Sequence, residues 1–482
     1  MNYTKLNYVR HTIEKQPTLF IQAFFFVICC FILLNLPSDR PYVAGADAAS
    51  WLLPAKSLLL HHNYVIFDHP EYADLYRPPI VPIFNAFFLW LGQENGVKTI
   101  VFAQIVLLSI TSLLVARIAN MIRHGTGIIA MVLFLVNPNT FSSAFLIQSE
   151  TIFVFLLTFS IYALLQYLDS DRWSHVIKAS FFLALATLTR PTTQYLIIAF
   201  PLACFVLVLM RNKYEAFTFQ RFSQGLVATG LAILLVMPWA LKLGESEGSP
   251  TLTTAEIRSV YIYDQLLTLV SYKSGISIKD AHSILSKDKT HEKKMKCYEL
   301  EYNSPERAGC FQEVEALYTR KLLGQPFVEY VRPIIKSFIN FFFSGGSGNW
   351  HNLFMTEDKY SVVSIASNID NQQSFNMVSE IIANFSFVPI IIIIFCLFFS
   401  LAIKLMTLVG IYDLFRRKEF AVLMVFLALI FYFFMVTLFL GQSRYRIPLE
   451  PYFTILAVIG WLKLKEIFRD RIHRKLSKNL SF

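Results

Sequence analysis

The strongest constraint on this chain is a recurrence of apolar blocks close to the roughly 20 residues that cross a bilayer. The blocks run over 18–36, 98–116, 126–146, 151–168, 176–189, 193–210, 222–241, 388–410, 420–440 and 449–465. Charged residues make up 16% of the chain and hydrophobic residues 55%, whereas soluble domains carry about 25% charged residues. An ordinary soluble enzyme, a disordered chain, a collagen-like repeat and a disulfide-dense secreted scaffold are excluded on these figures. The first block, Thr18 to Leu36, is too long for a signal-peptide core and has no small-residue cleavage pattern behind it. It reads as a retained span. The expected fold is an all-α polytopic membrane protein of about ten transmembrane helices.

The net charge of +10 sits in short turns between apolar blocks, which is how membrane proteins fix their orientation, and gives no nucleic-acid footprint. Place Lys5, Arg10 and Lys15 on the cytoplasmic side. Then Arg117 and Arg123 return there, as do Arg172 and Lys178, then Arg211, Lys213 and Arg221, and then Arg416, Arg417 and Lys418. The tail from Lys463 to Lys478 ends on the same side. Every basic cluster then obeys the positive-inside rule. This holds when 176–210 forms two spans broken around Arg190-Pro191. A single tilted element there turns the next basic cluster outward.

The topology divides the chain into an N-terminal membrane module (1–241) with a first outer loop at 37–97, an extracytoplasmic loop domain (242–387), and C-terminal membrane helices with a basic tail (388–482). In the first outer loop, Ile80 to Leu91 is too short and too proline-interrupted to span, and is expected to lie along the interface as juxtamembrane helix. In the loop domain, Val328, Val331, Ile335, Phe338 and Phe342 form an apolar stripe, with Glu329, Arg332 and Lys336 elsewhere around the helix. That pattern marks 326–343 as an amphipathic helix on the membrane surface. Cys297 and Cys310 lie in the same outer segment, and in an oxidising compartment they either close a short disulfide loop or stay as two thiols.

Four arginines break the charge rule. Arg77, Arg190, Arg444 and Arg446 stand at outer-leaflet ends of apolar segments, where a charge needs a partner and marks a functional site. Guanidinium groups hold phosphate through paired N–H donors and keep their charge when partly buried. Each arginine alone is equally well read as pairing with a carboxylate or snorkelling to headgroups. The carboxylates beside them are Asp47, just outside the first span, and Glu150, at the outer start of another. Asp47 is either the N-cap of the following helix or an acid that takes a proton from an attacking hydroxyl. Glu150 is either a helix-start acid suiting the dipole or part of the site. Asp68, Glu71 and Asp74 read as loop acids too close to water for individual roles, and His69 as a solvated loop histidine, with a ligand role as the alternative. No Walker loop, Rossmann fingerprint, HExxH or spaced Cys/His zinc pattern is present, so no nucleotide cofactor is expected.

These stretches resemble a known family. Asp47-Ala48-Ala49-Ser50-Trp51, Ala55-Lys56-Ser57-Leu58-Leu59 and Arg77-Pro78-Pro79-Ile80-Val81-Pro82-Ile83-Phe84 are similar to the first outer loop of GT-C glycosyltransferases, in the protein O-mannosyltransferase and aminoarabinose-transferase branch. Ser149-Glu150-Thr151, Ala186-Thr187-Leu188-Thr189-Arg190-Pro191, the 326–343 helix and Arg444-Tyr445-Arg446-Ile447-Pro448-Leu449-Glu450-Pro451 extend the likeness in order along the chain. Two departures stand out: Ile80-Val81 replaces the family's Gly-Tyr, and Asp47 is a single acid between Ala46 and Ala48 where much of the superfamily has a pair. One carboxylate fixes a divalent metal poorly, so no metal is assigned to this loop.

The resemblance implies inverting transfer of a sugar from a polyprenyl-phosphate donor to a lipid, polysaccharide or protein acceptor at the extracytoplasmic face of a bacterial inner membrane. By that resemblance Asp47 is the catalytic carboxylate, and Arg77, Arg190, Arg444 and Arg446 hold the donor phosphate. Glu150, Tyr76 and Tyr445 belong to the substrate site. The alternatives are a transporter or flippase of lipid-linked sugars and a non-catalytic scaffold using 242–387 as a receptor. Transporters commonly show repeated halves with charges at the midplane. Here no repeat is found and the unusual charges gather at one face.

Overall fold

The computed structural model describes residues 3–37, 47–170, 172–211, 219–354 and 387–479. Residues 38–46 of the first outer loop (with Gly45 and Ala46), Lys213, and 355–386 of the loop domain lie outside the described residues. Apart from a small antiparallel hairpin, Val65–Ile66 against His69–Ala73, the described elements are helices. Six of them are long and apolar enough to cross a membrane: Pro17–Asn35, Ile80–Ile122, Glu150–Ser170, Phe222–Glu247, Ile391–Arg416 and Ser443–His473. The chain is an integral membrane protein.

Three of the expected spans are shorter. The break around Arg190-Pro191 is present: one helix covers Trp173–Thr187 and the next begins at Gln194 after a turn at Pro191–Thr193. Block 420–440 is helical over Phe420–Val436. Block 126–146 requires correction, because it is two short helices, Gly127–Leu135 and Pro138–Ser143. The cause is local. Pro138 has no N–H and disfavours a helical residue before it, and the Asn137 side chain caps the new helix by accepting from the Asn139 N–H at 3.0 Å. Hydropathy alone does not register such a break, since both halves are apolar. The juxtamembrane stretch forms its own helix, Ile80–Gly92, which turns at Gln93 (φ +47°) into Gly96–Ile122.

The C-terminal pair Phe387–Arg416 and Glu450–Asn479 cross in contact through glycines. A side chain at Gly410 would stand 2.0 Å from the Leu456 carbonyl, and one at Gly460 would stand 2.1 Å from that of Met406. Without a hydrophobic force between helices in lipid, small residues that let backbones touch are what hold such a pair. At one end Asp413 is buried among Arg417 at 2.8 Å, Arg123 at 3.5 Å and Lys463 at 3.7 Å. These cations come from three of the expected cytoplasmic turns. The helix from Glu450 carries Lys463 about 20 Å along its axis at 1.5 Å per residue, so the Arg444-Arg446 turn lies at the opposite end.

A second, smaller core belongs to the helices Ala255–Ser274, Ile278–Leu285, Lys289–Tyr298 and Pro305–Leu323, packed through Leu266, Leu269, Phe311, Val314 and Tyr318. Thr254, Ser277, Asp288 and Ser304 cap these helices, each accepting a backbone N–H near the first turn. Cys297 and Cys310 are disulfide-bonded, tying Lys289–Tyr298 to Pro305–Leu323. The following helix, Phe327–Phe343, exposes Phe327, Val328, Val331, Ile335 and Phe338. Closing so short a loop restricts the unfolded chain by about 3 kcal/mol. Cys297→Ser with Cys310→Ser is therefore expected to lower the melting temperature measurably. Alkylation of the native protein should add no mass at these two positions unless reductant is present.

Candidate functional site

The ends of several elements converge on one charged cluster. Asp47 stands at the start of Ala48–Leu60 but does not cap it, since its side chain makes no capping hydrogen bond. Its carboxylate instead meets Arg444 Nη1 at 2.7 Å and Arg77 Nη2 at 3.8 Å. Arg444 is shared: its Nε donates to Glu150 Oε1. Arg190, in the turn after Trp173–Thr187, donates from Nη2 to the same oxygen at 3.0 Å. Glu150 is fully buried, whereas the side chains of Asp47 and Arg444 keep 36% and 21% of their surface. The inner carboxylate thus anchors the arginines, and the outer one faces solvent with them.

Local sequence explains the placement. Arg77 reaches the cluster because its Nε donates to Ser50 Oγ at 2.9 Å and its guanidinium lies 4.4 Å from the Trp51 ring and 4.9 Å from that of Tyr76. Tyr64 Oη fixes the same turn by donating to the Arg77 carbonyl at 2.7 Å. Burial pulls the Arg77 pKa down; Tyr76 and Asp47 push it back up, and Arg444 and Arg190 add to the lowering. The three cations therefore feel one another. Three guanidiniums and two carboxylates meet here, and the Asp74 carboxyl also feels the Arg77 charge.

The structure does not bring Arg446 to this cluster. It leaves the same four-residue helix, Ser443–Arg446, in another direction and is buried. Its Nε donates to Glu450 Oε1 at 2.6 Å, its Nη2 to the Ser344 carbonyl at 2.9 Å, and its Nη1 to the Phe341 carbonyl. The expected convergence of four arginines is three, with the fourth in a separate network two residues away. Glu150 gives its Oε1 to both Arg190 and Arg444, while its Oε2 is buried without a hydrogen-bond partner. Tyr76 lies against Arg77, exposed, and Tyr445 between Arg444 and Arg446 is half-buried.

With this geometry in view, the comparisons with known proteins are specific. Residues 76–241 match the family model described as dolichyl-phosphate-mannose-protein mannosyltransferase. The archaeal oligosaccharyltransferase AglB from Archaeoglobus fulgidus, in complex with an inhibitory peptide and a dolichol-phosphate, aligns with 97% of this chain and 52% of that one, at 14% identity and a TM-score of 0.50. The segment matched by the family model is about a third of the chain. The apo form of the same organism's enzyme aligns with 95% of this chain and 52% of that one, at 12% identity and a TM-score of 0.46. The chain spans about half the length of the solved structures it matches, and the likeness to them is one of fold. No curated protein matches it.

Two features of the site escape sequence reading. Asp74, read as a solvated loop acid, is buried; its Oδ1 accepts the Tyr76 N–H at 3.0 Å. Burial raises its pKa to about 6, with the backbone N–H groups of Tyr76 and Arg77 and the Arg77 charge opposing. Asp264, on Ala255–Ser274, feels the Asp47 charge. Burial raises its carboxyl, Lys294 lowers it and the Asp47 charge raises it. No pattern in the sequence separates Asp264 from other acids of the loop domain.

Two outcomes test this site. Glu150→Gln strips Arg190 and Arg444 of their shared counter-charge, and breaking a buried pair in this way costs several kcal/mol. Because both arginines keep some solvent, a loss of about 2–3 kcal/mol is expected in thermal or denaturant unfolding. Asp74 gives a pH signature. Its folded pKa is raised, so its contribution is fully present below the unfolded value near 4 and is lost as pH rises through about 6. Asp74→Asn should therefore raise the melting temperature at pH 8 relative to the parent, and the difference should vanish below pH 4.

Proposed function

We propose that this chain is a glycosyltransferase that moves a sugar from a polyprenyl-phosphate donor to an acceptor hydroxyl at the extracytoplasmic face, with inversion. The observation that carries the reading is Arg444 bridging a solvent-facing Asp47 and a buried Glu150, with Arg77 and Arg190 beside it. A phosphodiester brings one negative charge, which guanidiniums hold through paired N–H donors. The arginines bind through fork-shaped donors suited to phosphate. Arg77 and Arg444 face the phosphate. Glu150 holds Arg190 and Arg444 in place and is a positioning residue. Tyr76 and Tyr445 flank the arginines on the substrate side.

In the proposed reaction the acceptor oxygen attacks the anomeric carbon on the side opposite the phosphate. The new C–O bond forms as the sugar–phosphate C–O bond breaks, and the electron pair of that bond leaves with the phosphate. Asp47 takes the acceptor's proton. The cluster gains one positive charge as the carrier phosphate gains one negative charge, so the overall charge is unchanged through the step. Fixed guanidiniums aimed at developing charge are worth about 3 kcal/mol per donor, and a positioned base adds roughly 10²–10⁴-fold. Asp47 stands between two guanidinium groups as a single acid, a donor set that does not fit a divalent cation, and no step is routed through a metal. The membrane is read as a bacterial inner membrane with both termini cytoplasmic, on the positive-inside pattern and fold-level analogy.

Purified protein given a radiolabelled polyprenyl-phosphate sugar and acceptor extract should release free carrier. Asp47→Asn keeps the carboxylate's shape and is expected to lower release at least about 100-fold with the melting temperature unchanged. Arg444→Lys should recover little, because the fork is lost. Near-normal release by Asp47→Asn overturns the assignment.

A further inference from the structure

The loop at 298–303 meets the hairpin of the first outer loop in a cluster of rings outside the Asp47 site. Tyr302 stands at its centre, with the His69 ring 5.5 Å and the Tyr72 ring 5.6 Å from its own. The loop is held from behind. Arg307 is buried, lies 4.5 Å from the Tyr302 ring, donates to the Leu300 carbonyl at 3.0 Å and meets Glu256 at 3.1 Å. The Cys297–Cys310 disulfide ties the start of the loop to the helix that carries Arg307. Asn303, at φ +58° in the left-handed region that asparagine tolerates, donates from Nδ2 to the Ala73 carbonyl at 2.8 Å.

Fixed in this way, the rings stay open to water: His69 keeps 51% of its side-chain surface and Tyr302 is 39% exposed, while Tyr72 is half-buried. Two exposed carboxylates edge them. Glu71 lies 3.3 Å from His69 Nδ1, and Glu301 Oε1 accepts from Tyr72 Oη at 3.0 Å. An aromatic face is electron-rich and attracts polarised C–H groups, and carboxylates accept from O–H donors. A sugar ring offers both, C–H groups on its faces and hydroxyls around its edge. The carboxylates repel an anionic headgroup, and a hydrocarbon surface would strip them of water. The cluster also adjoins the Asp47 site. Four residue steps lead from Ala73 to Arg77, at most about 14 Å of chain, and the exposed Tyr76 lies on that path, 4.9 Å from the Arg77 guanidinium.

We propose that His69, Tyr72 and Tyr302 form a platform that seats a neutral saccharide, the sugar chain whose terminal hydroxyl is the acceptor at Asp47. The acceptor class is then a glycan and not a bare polypeptide. The use made of the bound sugar rests on the transferase reading; the platform itself is a binding site and is tested by binding.

The full chain, in a sugar-free detergent such as dodecyldimethylamine oxide, is titrated with maltohexaose, mannohexaose and chitohexaose and followed by saturation-transfer NMR on the sugar. At least one of the three is expected to bind. Tyr302→Ala should weaken that binding at least about tenfold, the loss of one aromatic face, with the melting temperature unchanged. Tyr302→Phe should keep it. His69→Ala, on the other chain segment, should weaken it as well and serves if Tyr302→Ala does not fold. Asp47→Asn should bind the sugar as the parent does while its carrier release falls. The platform is overturned if none of the three sugars binds, or if both Tyr302→Ala and His69→Ala bind as the parent does. Binding of pentalysine that depends on Tyr302, with no sugar bound, also overturns it and identifies a peptide surface. The two readings fail separately: sugar binding without carrier release keeps the saccharide site and overturns the transferase, and carrier release without sugar binding does the reverse.

Discussion

Glu150 is the pivot of one end of this molecule. A carboxylate with no solvent of its own survives burial when cations enclose it, and here Arg190 and Arg444 arrive from turns some 40 and 294 residues further along the chain. Their sequence separation makes the pair a clamp between distant elements. The start of Glu150–Ser170, the break at Pro191–Thr193 and the Ser443–Arg446 helix are held at one point. Asp47 then joins from outside, and its exposure follows from Glu150 having taken the interior position.

Much of the fold was legible because hydropathy and charge report the same event, a helix end passing from lipid to water. The break at Arg190-Pro191 was readable since proline and arginine both forbid an uninterrupted apolar helix there. The break at Asn137-Pro138 was not, although the dipeptide is a capping signal, because the apolar residues on either side masked it. A window that averages hydropathy cannot see a single missing N–H.

The site was legible in kind and less so in membership. Arg77, Arg190 and Arg444 were conspicuous as cations in the wrong half of the membrane, and Asp47 and Glu150 as acids near them. Arg446 satisfied the same criterion and lies elsewhere, because side chains two apart on a helix point in different directions. Asp264 carried no signal, since its electrostatic relation to Asp47 depends on where the Ala255–Ser274 helix packs. Asp74 looked like any loop acid, and only packing reveals that it is enclosed.

The glycine crossing of the C-terminal helices sets the geometry of what they carry. With Gly410 and Gly460 placing main chain against main chain, the interhelical distance is fixed by atoms that have no rotamers. Lys404 and Glu450 sit on those two helices, on the side of the crossing away from Asp413 and Lys463. The pair therefore behaves as a hinge pin whose two arms bear opposite charges at each end, and a bulkier residue at the pin would spread both ends at once.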